Sequence, residues 1–275
     1  MRFGSSRRSA PSTSHPSRSD AIDSHHGARR TTMTQGSTTL HAYGEASYWD
    51  RRYGQDPGPF EWYQKYRSLA PLFDLYLRRH HRLLLVGCGN SALGEDMLND
   101  GYEDIVNIDI SSVVIEAMQT KYQDKPALQY IKMDVRDMSD FESGSFDAVI
   151  DKGTLDSLMC GHDAQENATK MLEEVGRVLK DKGVYFLITY GDPNYRLYLL
   201  KELRYWTINM HVIDRLEKTA DKRCWDLTTP IPWTEDGSLA TAVLGSNPEI
   251  HYIYVCIKDE SLSQHGNEEP NSSEH

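Results

Sequence analysis

A short glycine-containing segment follows the most aliphatic run of the chain. Residues 83–86 lead into residues 87–92 (GCGNSA), where a helix is expected to begin. Glycines at such a turn let the backbone approach a ligand closely, and the amides of a helix N-terminus point towards it. The spacing also satisfies the dinucleotide pattern G-x-G-x-x-A, so this segment alone does not distinguish between nucleotide cofactors.

Two acids follow the next strand-like runs. Asp109 lies twenty residues after Gly89, where a carboxylate can accept both hydroxyls of an adenosine ribose. NAD and S-adenosylmethionine both carry that ribose. Asp134 follows the third run, where it can accept a hydrogen bond from an adenine amine. A single Asp after a strand is usually a turn residue or a cap. The glycine segment, Asp109 and Asp134, however, occur in this order and are followed by residues 145–153 (SFDAVIDKG), and this combination favours S-adenosylmethionine over NAD.

Asp151 and Asp156 are the candidate catalytic residues, because they flank residues 152–155 (KGTL) after the fourth predicted strand. Methyl transfer from a sulfonium needs mainly alignment and a dry site. A lysine acceptor must also lose a proton from a pKa near ~10.4, and a carboxylate could orient the amine and take that proton. The alternative is that both acids cap the turn and pair with Lys152. The catalytic base therefore stays unknown.

Strand and helix patterns alternate along the part of the chain that carries these residues. Strands are predicted at 82–86, 105–110, 128–133, 146–150, 184–190, 206–213 and 251–257, and helices at 66–79, 92–99, 112–122 and 164–179. Such alternation implies parallel βαβ units with helices on both faces of the sheet. The last two strands look like an antiparallel edge. The predicted fold class is α/β, a Rossmann-like seven-stranded mixed sheet with an antiparallel last strand.

The charge of the chain is uneven. Of the formal net charge of −11, residues 1–40 contribute +4 and the remainder −15. An acidic body argues against nucleic acid as a partner and suits a basic protein surface. No aliphatic run approaches the ~20 residues that a membrane span needs. The four cysteines are far apart and form no CxxC pair, which predicts reduced thiols in a cytosolic protein; no cluster predicts a metal site.

Three regions are predicted. Residues 1–40 are rich in Ser, Thr and Arg and lack apolar periodicity, so we expect a disordered extension. It is either dispensable, with the protein cytoplasmic, or a transit peptide that directs the protein to an organelle. Residues 41–258 form the catalytic domain, and residues 259–275 a disordered acidic tail.

Five segments carry a resemblance to a known family: residues 48–53 (YWDRRY), 61–63 (EWY), 86–93 (VGCGNSAL), 108–114 (IDISSVV) and 151–156 (DKGTLD). Together they resemble the methyltransferase-like family of class I S-adenosylmethionine-dependent methyltransferases, which includes lysine methyltransferases of translation elongation factor 1-alpha. The likeness covers roughly residues 44–191.

The resemblance implies S-adenosylmethionine as cofactor and an N-terminal lid that helps to hold it. The implied cofactor residues are Trp49, Tyr53, Trp62, Gly87, Asp109, Ile110, Asp134, Val135 and Lys152. Gly89 is added to them because it is the second glycine of the turn. Aromatic faces suit a sulfonium cation. The competing interpretation makes Trp49 and Trp62 core anchors of an N-terminal helix.

The resemblance and the acidic body together predict a protein-lysine N-methyltransferase acting on an elongation factor-like substrate. A small-molecule methyltransferase would share the whole cofactor half and is the main alternative. A binding module without activity is the third, and the intact cofactor residues count against it. The segment DKGT after the fourth strand replaces the Asn/Asp-Pro-Pro-aromatic motif of many enzymes that methylate base amines. The sequence does not predict the oligomeric state.

Overall fold

A computed structural model describes residues 42–215, 225–234, 238–245 and 249–260. All of these described residues belong to one compact unit. The predicted N-terminal extension, the predicted tail beyond Glu260, and Cys224 lie outside the described residues. None of the described helices is long and apolar enough to cross a membrane. The described cysteines, Cys88, Cys160 and Cys256, are free thiols.

The described strands form one seven-stranded sheet in the order β3-β2-β1-β4-β5-β7-β6. The first five strands run parallel, and β7 is antiparallel to both β5 and β6. This arrangement confirms the predicted fold class. The strands are β1 (Arg82–Val86), β2 (Asp104–Asp109), β3 (Leu128–Lys132), β4 (Phe146–Lys152), β5 (Leu179–Thr189), β6 (Trp206–Asp214) and β7 (Ile250–Lys258).

Helices cover both faces of the sheet. Successive side chains of a strand point to opposite faces, so Leu83 and Leu85 of β1 join the core beneath α2–α4, whereas Leu84 and Val86 join the core beneath α5–α8. The helices are α1 (Ala46–Gln55), α2 (Tyr66–Tyr76), α3 (Leu93–Asn99), α4 (Ser112–Lys121), α5 (Thr154–Met159), α6 (Ala164–Val178), α7 (Pro193–Glu202) and α8 (Ser238–Leu244).

Two parts of the predicted pattern differ from the structure. The fifth strand begins at Leu179 rather than at residue 184, because a bulge interrupts its register with β4 between Phe146 and Ala148. Lys182, which lies between the predicted helix at 164–179 and the predicted strand at 184–190, has φ +61° and belongs to a distortion inside the strand. Helices α1, α5, α7 and α8 were not predicted as elements, since none presents a long run of helix-spaced apolar residues.

Candidate cofactor site and its acceptor side

A pocket lies where the parallel strands end. It brings together residues from the lid, the glycine turn and the ends of β2, β3 and β4. Nine of the ten predicted cofactor residues line it: Trp49, Tyr53, Trp62, Gly87, Asp109, Ile110, Asp134, Val135 and Lys152. Gly89 lines an adjoining pocket that shares several of these residues. The contacts of each residue with a cofactor remain predictions.

The glycine turn occupies backbone conformations and space that other residues would not fit. Gly87 and Gly89 have φ of +58° and +51°. A Cβ on Gly87 would overlap the side chain of Thr154, and one on Gly89 would come within 2.5 Å of the Tyr53 hydroxyl. The turn therefore forms a close-fitting cradle of bare backbone that packs against Thr154 and Tyr53 and lies at the pocket wall.

Asp109 is a buried carboxylate at the pocket wall. One of its oxygens accepts from the Gly89 amide at 2.9 Å, and the other accepts from the Ser111 amide at 2.9 Å. Burial raises the pKa of Asp109 to about 6, although both amides stabilise the charged form. Each oxygen keeps a second lone pair, so the group fits a vicinal diol such as a ribose.

Asp134 lines the pocket and forms an ion pair with Arg136. The guanidinium donates from Nε at 2.9 Å and from Nη2 at 2.6 Å to this carboxylate. Arg136 Nη2 also donates to the Gly44 carbonyl at 3.2 Å, which connects the start of the lid to the segment that follows β3. Sequence reasoning missed Arg136, because its role depends on contacts with both segments.

The lid comprises residues 42–63 and forms an aromatic wall of the pocket. Trp49 stacks on Tyr53 with ring centroids 5.9 Å apart, and its Nε1 donates to the Tyr43 carbonyl at 2.8 Å. No residue of α1 is fully buried, and Trp62 is likewise only partly buried. The interpretation of Trp49 and Trp62 as core anchors is therefore wrong, since neither is fully buried and both line the pocket.

Two carboxylates of the lid act as caps for helices that lie elsewhere in the chain. Asp50 accepts from Ser111 Oγ at 2.6 Å at the N-terminus of α4. Glu61 accepts from Ser91 Oγ at 2.8 Å and from the Ala92 amide at the N-terminus of α3. Carboxylates at these positions satisfy free amides and complement the helix dipole. Neither residue follows a spacing that marks it in the sequence, although both lie in motifs that carry the family resemblance.

Lys152 pairs with the lid rather than with the acids that flank it. Its Nζ lies 2.8 Å from Glu61 Oε2 and donates to the Trp62 carbonyl at 3.0 Å. The side chain is 7% exposed. Burial lowers the pKa of Lys152, and Glu61 opposes that change. The expected alternative pairing of Lys152 with Asp151 or Asp156 is therefore wrong.

Asp151 is fully buried at the N-terminus of α5. It accepts from the amides of Thr154 at 2.7 Å and Leu155 at 3.1 Å, and from the Tyr185 hydroxyl at 3.0 Å. Burial raises its pKa to about 7, with a further contribution from the charge of Asp156. Asp151 caps the helix and does not line the pocket.

Asp156 forms a buried network that joins several elements. It accepts from Arg196 Nη2 and Tyr63 Oη at 2.6 Å each, and from Thr189 Oγ1 at 2.5 Å. These partners come from α7, the lid and β5. Asp156 also does not line the pocket, so the structure gives both candidate catalytic acids structural partners. A catalytic role for either stays a prediction.

A group of tyrosines lies just beyond the end of β5 and does not line the pocket. Tyr190 is 49% exposed, and its ring centroid lies 6.3 Å from that of Tyr63 in the lid. Tyr195 and Tyr198 of α7 are 64% and 42% exposed. These three exposed aromatic side chains are here called the tyrosine surface.

A mixed sheet with a reversed last strand, a glycine cradle and strand-end carboxylates at one pocket define a class I S-adenosylmethionine-dependent methyltransferase. Comparison with known proteins agrees, since a family model described as "Methyltransferase domain" matches residues 84–187. Mouse EEF1A lysine methyltransferase 4 is 37% identical over 177 residues, 60% of this chain and 69% of that protein. The chain belongs to the methyltransferase family that includes this relative.

Two further comparisons set the extent of the likeness. Human eEF1A lysine and N-terminal methyltransferase is 39% identical over 156 residues, 55% of this chain but only 22% of that longer protein. A solved structure titled "Conversion of a Disulfide Bond into a Thioacetal Group during Echinomycin Biosynthesis" has a TM-score of 0.52 and 14% identity. The match covers 79% of this chain and 95% of that one, and it shows the fold alone. The predicted enzyme class and cofactor are confirmed.

Proposed function

We propose that this enzyme transfers a methyl group to a lysine side chain of a protein like translation elongation factor 1-alpha. The observation that carries the proposal is the 37% identity across 69% of mouse EEF1A lysine methyltransferase 4, a relative named for that reaction. Because translation takes place in the cytoplasm, the proposal includes a cytoplasmic location. Small-molecule methylation is the alternative that the experiment below must exclude.

The cofactor is proposed to lie across the pocket with its adenosine on the β2 and β3 side. Asp109 would accept the ribose hydroxyls, and Asp134 would accept from the adenine amine while Arg136 holds it in place. The methionine part would then face Trp62 and Lys152. When bound, the cofactor supplies a methyl group on a positively charged sulfur. The aromatic lid would exclude water and place ring faces beside that charge.

The tyrosine surface is proposed to receive the acceptor. A lysine side chain has a long apolar stem and a cationic end, and both are stabilised by aromatic rings. The net charge of −15 on residues 41–275 favours approach of a basic protein surface. Inside a dry channel, desolvation lowers the amine pKa and so favours the neutral form that attacks carbon.

Radiolabelled cofactor distinguishes the two functions. The full-length chain is incubated with methyl-labelled S-adenosylmethionine and either purified elongation factor 1-alpha or the small-molecule fraction of a cell extract. We expect label in the protein, and expect it to vanish when the substrate lysines have been blocked chemically beforehand. The Asp109→Ala variant controls for contaminating activities. Label confined to small molecules, or label insensitive to lysine blocking, would contradict the proposal.

A further inference from the structure

Lys152 places a buried cation at the wall of a pocket whose ligand is itself cationic. S-adenosylmethionine carries a positive sulfur, and the product S-adenosylhomocysteine lacks that charge. A lysine in such a position would by itself favour the product over the substrate, since like charges repel most strongly where water is excluded. Glu61 carries the opposite charge and lies 2.8 Å from the ammonium.

Four charged side chains occur among the described residues that line the pocket: Asp109, Asp134, Arg136 and Lys152. Asp134 and Arg136 form an ion pair and cancel. Without Glu61, Asp109 and Lys152 would also cancel and leave a neutral pocket. With Glu61, one negative charge remains, which matches the single positive charge that distinguishes the substrate from the product.

Glu61 is well placed to hold that charge. Besides Lys152, its carboxylate accepts from Ser91 Oγ and from the Ala92 amide, so the start of α3 fixes it from a second side. Lys152 in turn donates to the carbonyl of Trp62, the next residue of the lid. The pair therefore combines a mechanical contact between lid and β4 with an electrostatic effect on the pocket.

We propose that Glu61, by neutralising Lys152, sets the preference of the pocket for S-adenosylmethionine over S-adenosylhomocysteine. Glu61 is on this account a specificity-determining residue that acts through Lys152 and need not touch either ligand. The alternative is that the Glu61–Lys152 ion pair only holds the lid against β4 and has no electrostatic effect on the ligand. In that case, loss of the ion pair would change the affinity for both ligands by the same factor, because S-adenosylmethionine and S-adenosylhomocysteine share every group except the methyl and its charge.

The test is calorimetric titration of both ligands at pH 7 and low salt, without any acceptor. For Glu61→Gln, which keeps the size and acceptor oxygen of the side chain, we expect the ratio of the two affinities to shift towards the product by about fivefold or more. Lys152→Met should shift the ratio the other way, since it leaves Glu61 unpaired. The double variant should return the ratio close to that of the unchanged protein.

Equal losses for both ligands in the two single variants, or a shift that the double variant does not reverse, would overturn the proposal. If Glu61→Gln does not fold, Lys152→Met decides the question alone through the sign of its shift. The inference rests on the cofactor placement proposed above but not on the identity of the acceptor. If the affinity ratios contradict the role of Glu61, the proposal of lysine methylation still stands. If no label enters the protein substrate, the expected affinity ratios do not change.

Discussion

Asp109 joins the glycine turn to the end of β2, because its two oxygens accept from the amides of Gly89 and Ser111. Replacing it with alanine removes the charge-assisted bonds proposed for the ribose. We expect Asp109→Ala to weaken S-adenosylmethionine binding by about 1.5–3 kcal/mol, or about tenfold and more. Isothermal titration calorimetry measures this loss directly. An unchanged dissociation constant would show that the ribose lies elsewhere.

The raised pKa of Asp109, about 6, predicts how cofactor binding depends on pH. In the free protein the folded state holds this proton more tightly than the unfolded chain. The stability that Asp109 contributes is therefore present below about pH 4 and lost as pH rises through about 6. The affinity for the cofactor changes with pH in the opposite direction, because only the charged carboxylate accepts hydrogen bonds from both ribose hydroxyls.

Affinity for S-adenosylmethionine should accordingly rise between about pH 5 and 7 and then level off. Titrations across this range, repeated with Asp109→Asn, separate this group from others that titrate nearby. The asparagine variant should bind more weakly and lose most of the slope. An identical slope in both proteins would assign the pH dependence to another group.

At the scale of helices and strands, local patterns predicted the sheet well and the connections poorly. The ends of all seven strands lie within two residues of the predicted ends, except the start of β5. Aliphatic runs such as the one at 83–86 are typical of buried strands, which is why the sheet could be predicted. The six-residue helix α5 has no such signal. It is held by Asp151, whose side chain caps it, and that contact is visible only in three dimensions.

The same distinction applies to the site. Nine of the predicted cofactor residues share one pocket. Six of them lie at or just after strand ends, which converge at one edge of a parallel sheet, and the other three belong to the lid. Glu61 was missed although it lies in the EWY motif. Its partners are Ala92 and Lys152, about thirty and ninety residues away, and no periodicity or spacing rule connects them.

Asp156 links the lid, β5 and α7 through one carboxylate, which predicts a structural effect of its loss. Asp156→Asn keeps the shape of the side chain but leaves the buried Arg196 guanidinium without its counter-charge. We expect the free energy of unfolding to fall by about 3–5 kcal/mol. Tyr63→Phe is the matched control, since it removes a single hydrogen bond to the same carboxylate and should cost only about 1–3 kcal/mol.

Urea unfolding of the two variants and the unchanged protein provides the measurement. A loss for Asp156→Asn no larger than that for Tyr63→Phe would mean that Arg196 finds another partner, and it would reopen Asp156 as a group available for catalysis. The comparison therefore addresses stability and the unassigned base together.

For the whole molecule, the separation of charge along the sequence predicts how the acceptor is recruited. The positive charges of residues 1–32 offset part of the acidity of the rest, so a chain beginning at Met33 has a net charge of −15 instead of −11. Attraction between an acidic enzyme and a basic protein substrate is screened over roughly 8–10 Å at 0.1–0.15 M salt. We expect KM for the protein substrate to rise with salt, and to rise more steeply for the shorter chain.

Cofactor affinity provides the internal control, because the pocket begins at Tyr43 and every charge that lines it lies in the retained part of the chain. The dissociation constant for S-adenosylmethionine should therefore agree between the two chains at each salt concentration. Initial rates at several substrate concentrations, measured at 50 and 300 mM salt, give the comparison. If KM were independent of salt in both chains, long-range attraction would be excluded, and recognition would have to depend on short-range contacts such as those offered by Tyr195 and Tyr198.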